Sequence, residues 1–155
     1  MQARRALAVP YFLLLCLVSA PLMAAMPSWF KDSFLYLGEE VANAAAEGKR
    51  VVLYFHQEEC PYCKRMLEVN FTQRDIEEKT KAQFNVIAIN IWGDLEVTDL
   101  AGKVGSEKDF ARDQKVQFTP TMLFLDEQGA VTFRLNGYYP PERFSALLDY
   151  TAQRP

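Results

Sequence analysis

The chain has 155 residues, of which 50% are hydrophobic and 24% are charged, and its formal net charge is -3 at pH 7. This length and composition fit one globular domain and argue against a second independent core. The acidic balance and the absence of a long basic run argue against nucleic acid as a partner.

The N-terminal segment has the pattern of an export signal. Two arginines precede an apolar run at residues 11–20, and small residues follow where a signal peptidase could cut, after Ala24 or Ala25. The competing interpretation is an uncleaved membrane anchor over residues 7–26, although two prolines interrupt that stretch. We therefore expect a signal peptide or anchor in residues 1–25.

The remaining residues, 26–155, are predicted to form one exported domain. Cys16 lies in the predicted signal, so this domain keeps only Cys60 and Cys63. A small exported domain stapled by disulfides normally carries several well-separated pairs. A single pair of cysteines only three positions apart does not fit that pattern.

Hydrophobic patterning in the domain predicts helices that alternate with strands. The predicted helices cover residues 27–50, 64–71, 73–83, 107–115 and 140–154. The predicted strands cover residues 51–55, 84–92, 116–126 and 131–137, with a turn before the last one and a polar loop at residues 93–106. This order favours an α/β fold in which helices flank a central mixed β-sheet on both faces.

Two helix starts carry a capping pattern. Thr72 with Asp75 resembles a capping pair before the third predicted helix. Ser106 with Asp109 could cap the fourth.

Cys60 and Cys63 stand where the first predicted strand gives way to a helix. A structural staple is a weak interpretation, because so short a loop restrains the unfolded chain very little. A soft metal ion could use His56, Met66 and the two cysteines as ligands. A closed zinc site usually draws on two separated ligand pairs, however, and the sequence has no second cysteine pair. A working dithiol is the third interpretation.

The start of a helix favours the thiolate of Cys60. Unpaired backbone N–H groups and the positive end of the helix dipole stabilise negative charge, and such motifs lower a thiol pKa from about 8.5 toward neutrality. Pro61 suits the first helical turn, because it has a fixed φ and no N–H. Cys63, almost one turn further on, is expected to be the more deeply buried, resolving thiol.

Neighbouring side chains could modulate this thiolate. Lys64 adds positive charge near the helix start, whereas Glu58 and Glu59 oppose thiolate formation. His56 could stabilise the thiolate or shuttle a proton. The alternative is a partly buried histidine that only shapes the rim of the site.

The strand, the CxxC motif and the helix, with "FTPT" much later in the chain, resemble the thioredoxin superfamily. In that superfamily the residue before a cis proline pairs through its backbone with an extended substrate. The resemblance therefore implies a thioredoxin fold and places Thr119 and Pro120 in the substrate site, with Pro61 and Tyr62 beside them. The alternative for Pro120 is a plain edge-strand proline.

Within the superfamily, the chain resembles exported SoxW-like, or thioredoxin-related, proteins over nearly all of residues 29–150. The resemblance is carried by "YFHQEECPYCKRM", the loop before "FTPT", "LFLDEQGAVTFRLNGYY" and "PPERFSALLDY". It implies a periplasmic thiol–disulfide oxidoreductase that acts as a monomer and reduces protein disulfides. The redox-active Cys60–Cys63 disulfide would be its only redox group, and a membrane electron carrier of the DsbD or CcdA type would reduce it.

Several positions depart from ordinary thioredoxin. Pro61-Tyr62 is the glutaredoxin-type dipeptide, although the sequence shows no basis for a glutathione site. The tryptophan before the first cysteine is replaced by Glu59, and the buried acid beneath the dithiol aligns with Tyr54. Without that acid, water, a histidine or a nearby carboxylate would have to accept the proton of Cys63.

A function of a different class is the alternative. The same His56, Cys60 and Cys63 could serve a metal-binding or redox-sensitive adaptor module that has no turnover. Trp92 and Phe118 are interpreted as core or rim residues rather than as part of a cofactor site.

Overall fold

The computed structural model describes residues 25–153. The predicted signal segment lies outside this range except for its last residue, so the predicted boundary stays a prediction. Across residues 25–153, no helix has both the length and the apolar character required to span a membrane.

Helices and strands follow one another along the described chain in nearly the predicted order. The helices are α1 (Leu37–Ala46), α2 (Pro61–Arg65), α3 (Arg74–Gln83), α4 (Glu107–Asp113) and α5 (Pro141–Ala152), and α2 continues into a π-helical turn (Met66–Asn70). The strands are β1 (Arg50–His56), β2 (Phe84–Asn90), β3 (Glu96–Thr98), β4 (Val104–Ser106), β5 (Thr121–Leu125) and β6 (Val131–Asn136).

Four strands form a mixed sheet in the order β2-β1-β5-β6. β1 pairs parallel with β2 and antiparallel with β5, and β5 pairs antiparallel with β6. One core cluster packs α1 and α4 against the first face, and a second packs the π-helical turn, α3 and α5 against the other. This confirms the predicted α/β class with helices on both faces.

The middle of the sheet is β1, whose interior residues are all buried. Val51, Leu53 and Phe55 belong to the first core cluster, whereas Val52 and Tyr54 belong to the second. Because successive side chains point to opposite faces and helices cover both, the strand is apolar throughout rather than alternating.

Helix α1 is shorter than the predicted range 27–50, because it begins only at Leu37. Leu35 has a φ of 60°, in the left-handed region that bulky side chains disfavour, so a helix cannot run through it. Phe34 is largely exposed, while Phe30 packs against the second core cluster. The apolar residues of this segment therefore do not share one helical face.

The predicted loop at residues 93–106 instead contains a two-stranded hairpin of β3 and β4. Asp99 organises its turn, because its Oδ1 accepts hydrogen bonds from the N–H groups of Ala101 and Lys103, each at 2.8 Å. Val97 is buried in the first core cluster. Turn chemistry and one buried contact stabilise these strands, so their sequence lacks the alternation typical of longer strands.

One predicted helix cap is confirmed and the other is wrong. Ser106 is the N-cap of α4, and its Oγ accepts a hydrogen bond from the Asp109 N–H at 3.2 Å. Helix α3 begins after Gln73 and has no side-chain cap. The Thr72 hydroxyl donates instead to the Glu68 carbonyl oxygen at 2.7 Å, back toward the preceding helical turn.

This difference predicts that truncation to alanine lowers the free energy of unfolding more at Ser106 than at Thr72. Ser106→Ala should lower the free energy of unfolding by about 1 kcal/mol, because it removes the acceptor for an N–H group at the start of α4. Thr72→Ala should stay within about 0.5 kcal/mol of wild type, since Thr72 does not cap α3 and its hydrogen bond to Glu68 is exposed to solvent. Urea unfolding of both variants measures the difference, and equal losses would contradict the assignment of the cap.

Candidate active site

Cys60 and Cys63 form a disulfide at the start of α2, with their Cα atoms 5.2 Å apart. Cys60 is the N-cap of the helix, and its Sγ accepts a hydrogen bond from the Cys63 N–H at 3.0 Å. Pro61 occupies the first turn, as its missing N–H predicts. Cys63 is 3% exposed and Cys60 is 7% exposed. The local geometry therefore directs a backbone donor at the sulfur predicted to carry the thiolate.

The segment before β5 brings Thr119 and Pro120 to this disulfide. The Thr119 hydroxyl donates a hydrogen bond to Cys60 Sγ at 3.3 Å, and the Thr119 carbonyl oxygen lies 3.6 Å from the same sulfur. The Thr119–Pro120 peptide bond is cis, and Pro120 is buried. Two motifs that lie far apart in the sequence thus meet at one sulfur atom.

The other residues predicted near the dithiol surround it on the surface. Pro61 and Tyr62 are exposed at the rim. Glu59 is exposed and has a φ of 54°, in the left-handed region. Lys64 lies 3.8 Å from Glu68 in an exposed ion pair, so solvent screens its charge.

Tyr54 lies beneath α2. By the resemblance to thioredoxin, it takes the place of the buried acid found there in that protein. Its side chain is fully buried, and its hydroxyl donates to the Cys63 carbonyl oxygen at 3.4 Å. Burial raises the pKa of Tyr54 further above its usual value. The phenol stays protonated at neutral pH and cannot accept the proton of Cys63.

The His56 ring stacks on Tyr54, with ring centroids 6.1 Å apart and an interplanar angle of 11°. The ring is half-buried, and this burial lowers the pKa of His56. A neutral imidazole adds no positive charge beside a thiolate, but it can accept a proton. Burial therefore disfavours the charged form of His56 that would stabilise the thiolate, and its role in proton transfer stays a prediction.

The residues considered for a metal site do not form a cluster of ligands. Within residues 25–153, no group of three or more His, Cys, Asp or Glu side chains could hold a metal ion. Met66 is fully buried in the second core cluster. Cys60 and Cys63 are bonded to each other.

Residues 137–140, which had no predicted role in the site, connect the π-helical turn after α2 with the Thr-Pro segment. Asn70, at the end of the π-helical turn, donates from Nδ2 to the Tyr139 carbonyl oxygen at 2.9 Å, while its own Oδ1 is buried without a partner. The Arg65 guanidinium lies 4.9 Å from the centroid of the Tyr138 ring. At the start of this segment, the Gly137 N–H donates to the carbonyl oxygen of Pro120 at 2.7 Å.

Two further residues, Trp92 and Glu107, follow β2 in the chain and had no predicted role in catalysis or binding. Trp92 lies at the rim, where its Nε1 donates to Gln57 Oε1 at 3.1 Å. Glu107 is buried, although its place in the first turn of α4 is typical of a solvent-exposed acid. Its Oε1 accepts a hydrogen bond from the Asn90 N–H at 2.9 Å, and burial raises the pKa of Glu107.

The environment of His56 predicts a pH effect on stability. Its folded-state pKa lies below the unfolded value of about 6.5, so the folded state binds fewer protons. The stabilisation that neutral His56 gives the folded state is fully present above its unfolded pKa, and it is lost as the pH falls through its folded pKa. His56→Gln removes this contribution, while the opposite contribution of Glu107 is common to both proteins and cancels.

Urea unfolding of wild type and His56→Gln at about pH 7 and about pH 5 measures this effect. The free energy of unfolding should fall more steeply on acidification in the wild type. Equal decreases in the free energy of unfolding of the two proteins would contradict this prediction.

Solved structures with a similar fold include two proteins whose sequences are more than 25% identical to this chain. A thioredoxin from Thermus thermophilus is 28% identical, with a TM-score of 0.58, and the match covers 76% of this chain and 85% of that one. A thioredoxin-fold protein from Helicobacter pylori is 26% identical, with a TM-score of 0.59 and coverages of 68% and 70%.

A third structure shares the fold at lower identity. The oxidised C-terminal domain of Neisseria meningitidis DsbD is 18% identical, with a TM-score of 0.58 and coverages of 82% of this chain and 99% of that one. No curated protein sequence matches the chain significantly.

A family model described as a thioredoxin-like domain matches residues 37–152. The match runs from α1 to α5 and includes both cysteines and the Thr-Pro segment. With the solved structures it confirms the predicted thioredoxin fold. With the Cys60–Cys63 pair it confirms the predicted enzyme class, a thiol–disulfide oxidoreductase. The chain belongs to the thioredoxin-like domain family.

Proposed function

We propose that this oxidoreductase is exported and reduces protein disulfides in the periplasm with its Cys60–Cys63 dithiol. The observation that supports this most strongly is the meeting of Thr119 and Cys60, with a hydroxyl-to-sulfur distance of 3.3 Å. An extended polypeptide that pairs with the Thr119 backbone would hold its own cysteine next to the attacking sulfur.

Reduction proceeds by two exchanges. The Cys60 thiolate attacks one sulfur of the substrate disulfide, which forms a mixed disulfide and releases the first substrate thiolate. The Cys63 thiolate then attacks the Cys60 sulfur, which restores the Cys60–Cys63 disulfide and releases the second substrate thiolate. Two electrons pass to the substrate, and its two thiolates take up the two protons that the enzyme thiols give up to solvent or to a base.

The proton of Cys63 needs an acceptor other than the residue beneath it. Tyr54 stays protonated, because burial raises its pKa. We propose that the neutral imidazole of His56, which stacks on that same phenol, relays the proton, with water or a nearby carboxylate as the alternative acceptor.

The direction of exchange depends on the redox partner rather than on the fold. The export pattern before residue 26 and the resemblance to SoxW-like proteins support a periplasmic reductase. We propose that a membrane electron carrier of the DsbD or CcdA type reduces its disulfide again. The domain would act as a monomer, either released by cleavage or tethered to the inner membrane by its N-terminus.

Cysteine variants test turnover and the order of the two exchanges. Cys60→Ser should abolish dithiol-dependent reduction of insulin, because it removes the attacking thiolate. Cys63→Ser should also lose turnover but accumulate a mixed disulfide through Cys60, since the resolving thiol is absent. Non-reducing electrophoresis and mass spectrometry of the trapped adduct measure this.

Trapping in periplasmic extracts with Cys63→Ser would identify the physiological partner. A wild-type protein without turnover that instead holds a stoichiometric metal ion would overturn the proposal in favour of a metal-binding module. A wild-type protein without either property would favour a redox-sensitive adaptor.

The Thr119 hydroxyl should stabilise the reduced state of Cys60. A hydrogen bond to a charged group contributes about 1.5–3 kcal/mol, so Thr119→Val should reduce the thiolate population at neutral pH. The higher intrinsic nucleophilicity of a more basic thiolate offsets part of this loss, and we expect roughly a fivefold slower alkylation of Cys60 by iodoacetamide. Thr119→Ser keeps the hydroxyl and serves as the control. Equal alkylation rates in the two variants would show that the hydroxyl has no such role.

A further inference from the structure

The exposed indole of Trp92, which contacts the loop before Cys60, has no role in the exchange reaction. Trp92 is 70% exposed, so the fold gains little from burying it. Its Nε1 donates to Gln57 Oε1 at 3.1 Å. Gln57 belongs to the short loop that leads from β1 to Cys60, and His56 at the end of β1 pairs with Asn90 at the end of β2, so the indole lies at the same edge of the sheet as the reactive disulfide.

The backbone that carries this exposed ring is held in place from the strand side. The Trp92 N–H donates to Asn90 Oδ1 at 3.0 Å, and the Gly93 N–H donates to the Asn90 carbonyl oxygen at 2.9 Å. Asn90 is itself anchored, because its N–H donates to Glu107 Oε1 at 2.9 Å. A buried carboxylate of α4 thus orders the turn that ends at Trp92.

The same turn is held from the helix side. The Lys108 N–H donates to the Gly93 carbonyl oxygen at 3.1 Å, and Lys108 Nζ lies 2.9 Å from Asp94 Oδ1. A Cβ at Gly93 would overlap the Glu107 carboxylate, so glycine allows that acid to fit against the turn. The chain therefore builds an ordered support for a ring that it leaves in solvent.

An ordered, exposed indole is well suited to binding a polypeptide. A large aromatic ring buries about 150–250 Å² on contact and has few side-chain torsions to restrict. Tryptophan is accordingly enriched among residues that dominate binding energy at protein interfaces.

The surface around the disulfide indicates the chemistry of the bound segment. Tyr62 and Phe118, which are 60% and 64% exposed, add further apolar surface near Cys63 and Thr119. Glu58 and Glu59 are exposed, and neither forms an ion pair with any other residue between 25 and 153. A complementary segment would combine apolar side chains with lysine or arginine.

We propose that Trp92 is a specificity-determining residue that binds the polypeptide segment flanking the substrate cysteine. The preferred segment carries an apolar side chain that packs on the indole and a basic side chain that faces Glu58 and Glu59. This inference rests on the proposed reduction of protein disulfides and narrows its substrates. It distinguishes them from small disulfides, which carry no flanking polypeptide segment to pack on the ring.

Steady-state kinetics with two probes test the role of Trp92. The ratio of kcat/KM for insulin to kcat/KM for hydroxyethyl disulfide should fall roughly tenfold in Trp92→Ala, mainly through a higher KM for insulin. Trp92→Phe keeps an aromatic ring and should restore most of the ratio. Phe34→Ala, which truncates an exposed aromatic residue on the segment before α1, should leave the ratio unchanged.

A matched pair of peptide disulfides tests the charge preference. Two peptides that differ only by lysine or glutamate beside the cysteine should differ roughly fivefold in KM, in favour of lysine, at low ionic strength. The Glu58→Gln, Glu59→Gln double variant should abolish that difference. Equal KM values for the two peptides with the wild-type enzyme would overturn the preference for a basic segment.

The outcomes separate this inference from the proposed function. If wild type reduces insulin but Trp92→Ala keeps the wild-type ratio, or slows both probes equally, the specificity role is overturned while the proposed function stands. If wild type reduces neither probe, the proposed function fails and the specificity role fails with it. Unchanged thermal unfolding of Trp92→Ala shows that a shift in the ratio does not reflect misfolding.

Discussion

The pairing of β1 with its neighbours determines where the reactive groups meet. β1 runs antiparallel to β5, and Phe55 near the end of β1 pairs with Thr121 at the start of β5. The end of one strand and the start of the other therefore share one edge of the sheet, which brings Cys60 to Thr119. Apolar clusters on both faces hold β1 in this register, since a slip of one residue would turn every side chain to the opposite face.

Hydrogen-bond donors, rather than positively charged side chains, face the sulfur of Cys60. The Cys63 N–H and the Thr119 hydroxyl both point at Cys60 Sγ. Burial lowers the pKa of His56, so it brings no charge, and Lys64 is paired with a glutamate in solvent. Fixed donors stabilise a thiolate without a cation, because they need no reorganisation when the charge forms.

Local sequence patterns predicted most of the fold, and the exceptions depend on distant contacts. Buried strands, the cap at Ser106 and the strand-to-helix position of Cys60 each follow from neighbouring residues. The early residues of the first predicted helix are diverted because the Leu35 carbonyl oxygen accepts a hydrogen bond from the Thr98 N–H at 3.0 Å. That contact comes from the unpredicted hairpin of β3 and β4, so one missed element led to the other error.

By itself, the sequence determined that two thiols stand at a strand-to-helix junction, because the apolar run, the proline and the cysteine spacing are local features. Only the tertiary structure decided what surrounds them. Thr119 reaches Cys60 through strand pairing, and Trp92 reaches the rim through a turn that α4 holds. Burial between packed elements sets the direction in which the pKa of Tyr54 shifts. Such burial is a property of the assembled fold, since no single segment excludes water from that hydroxyl.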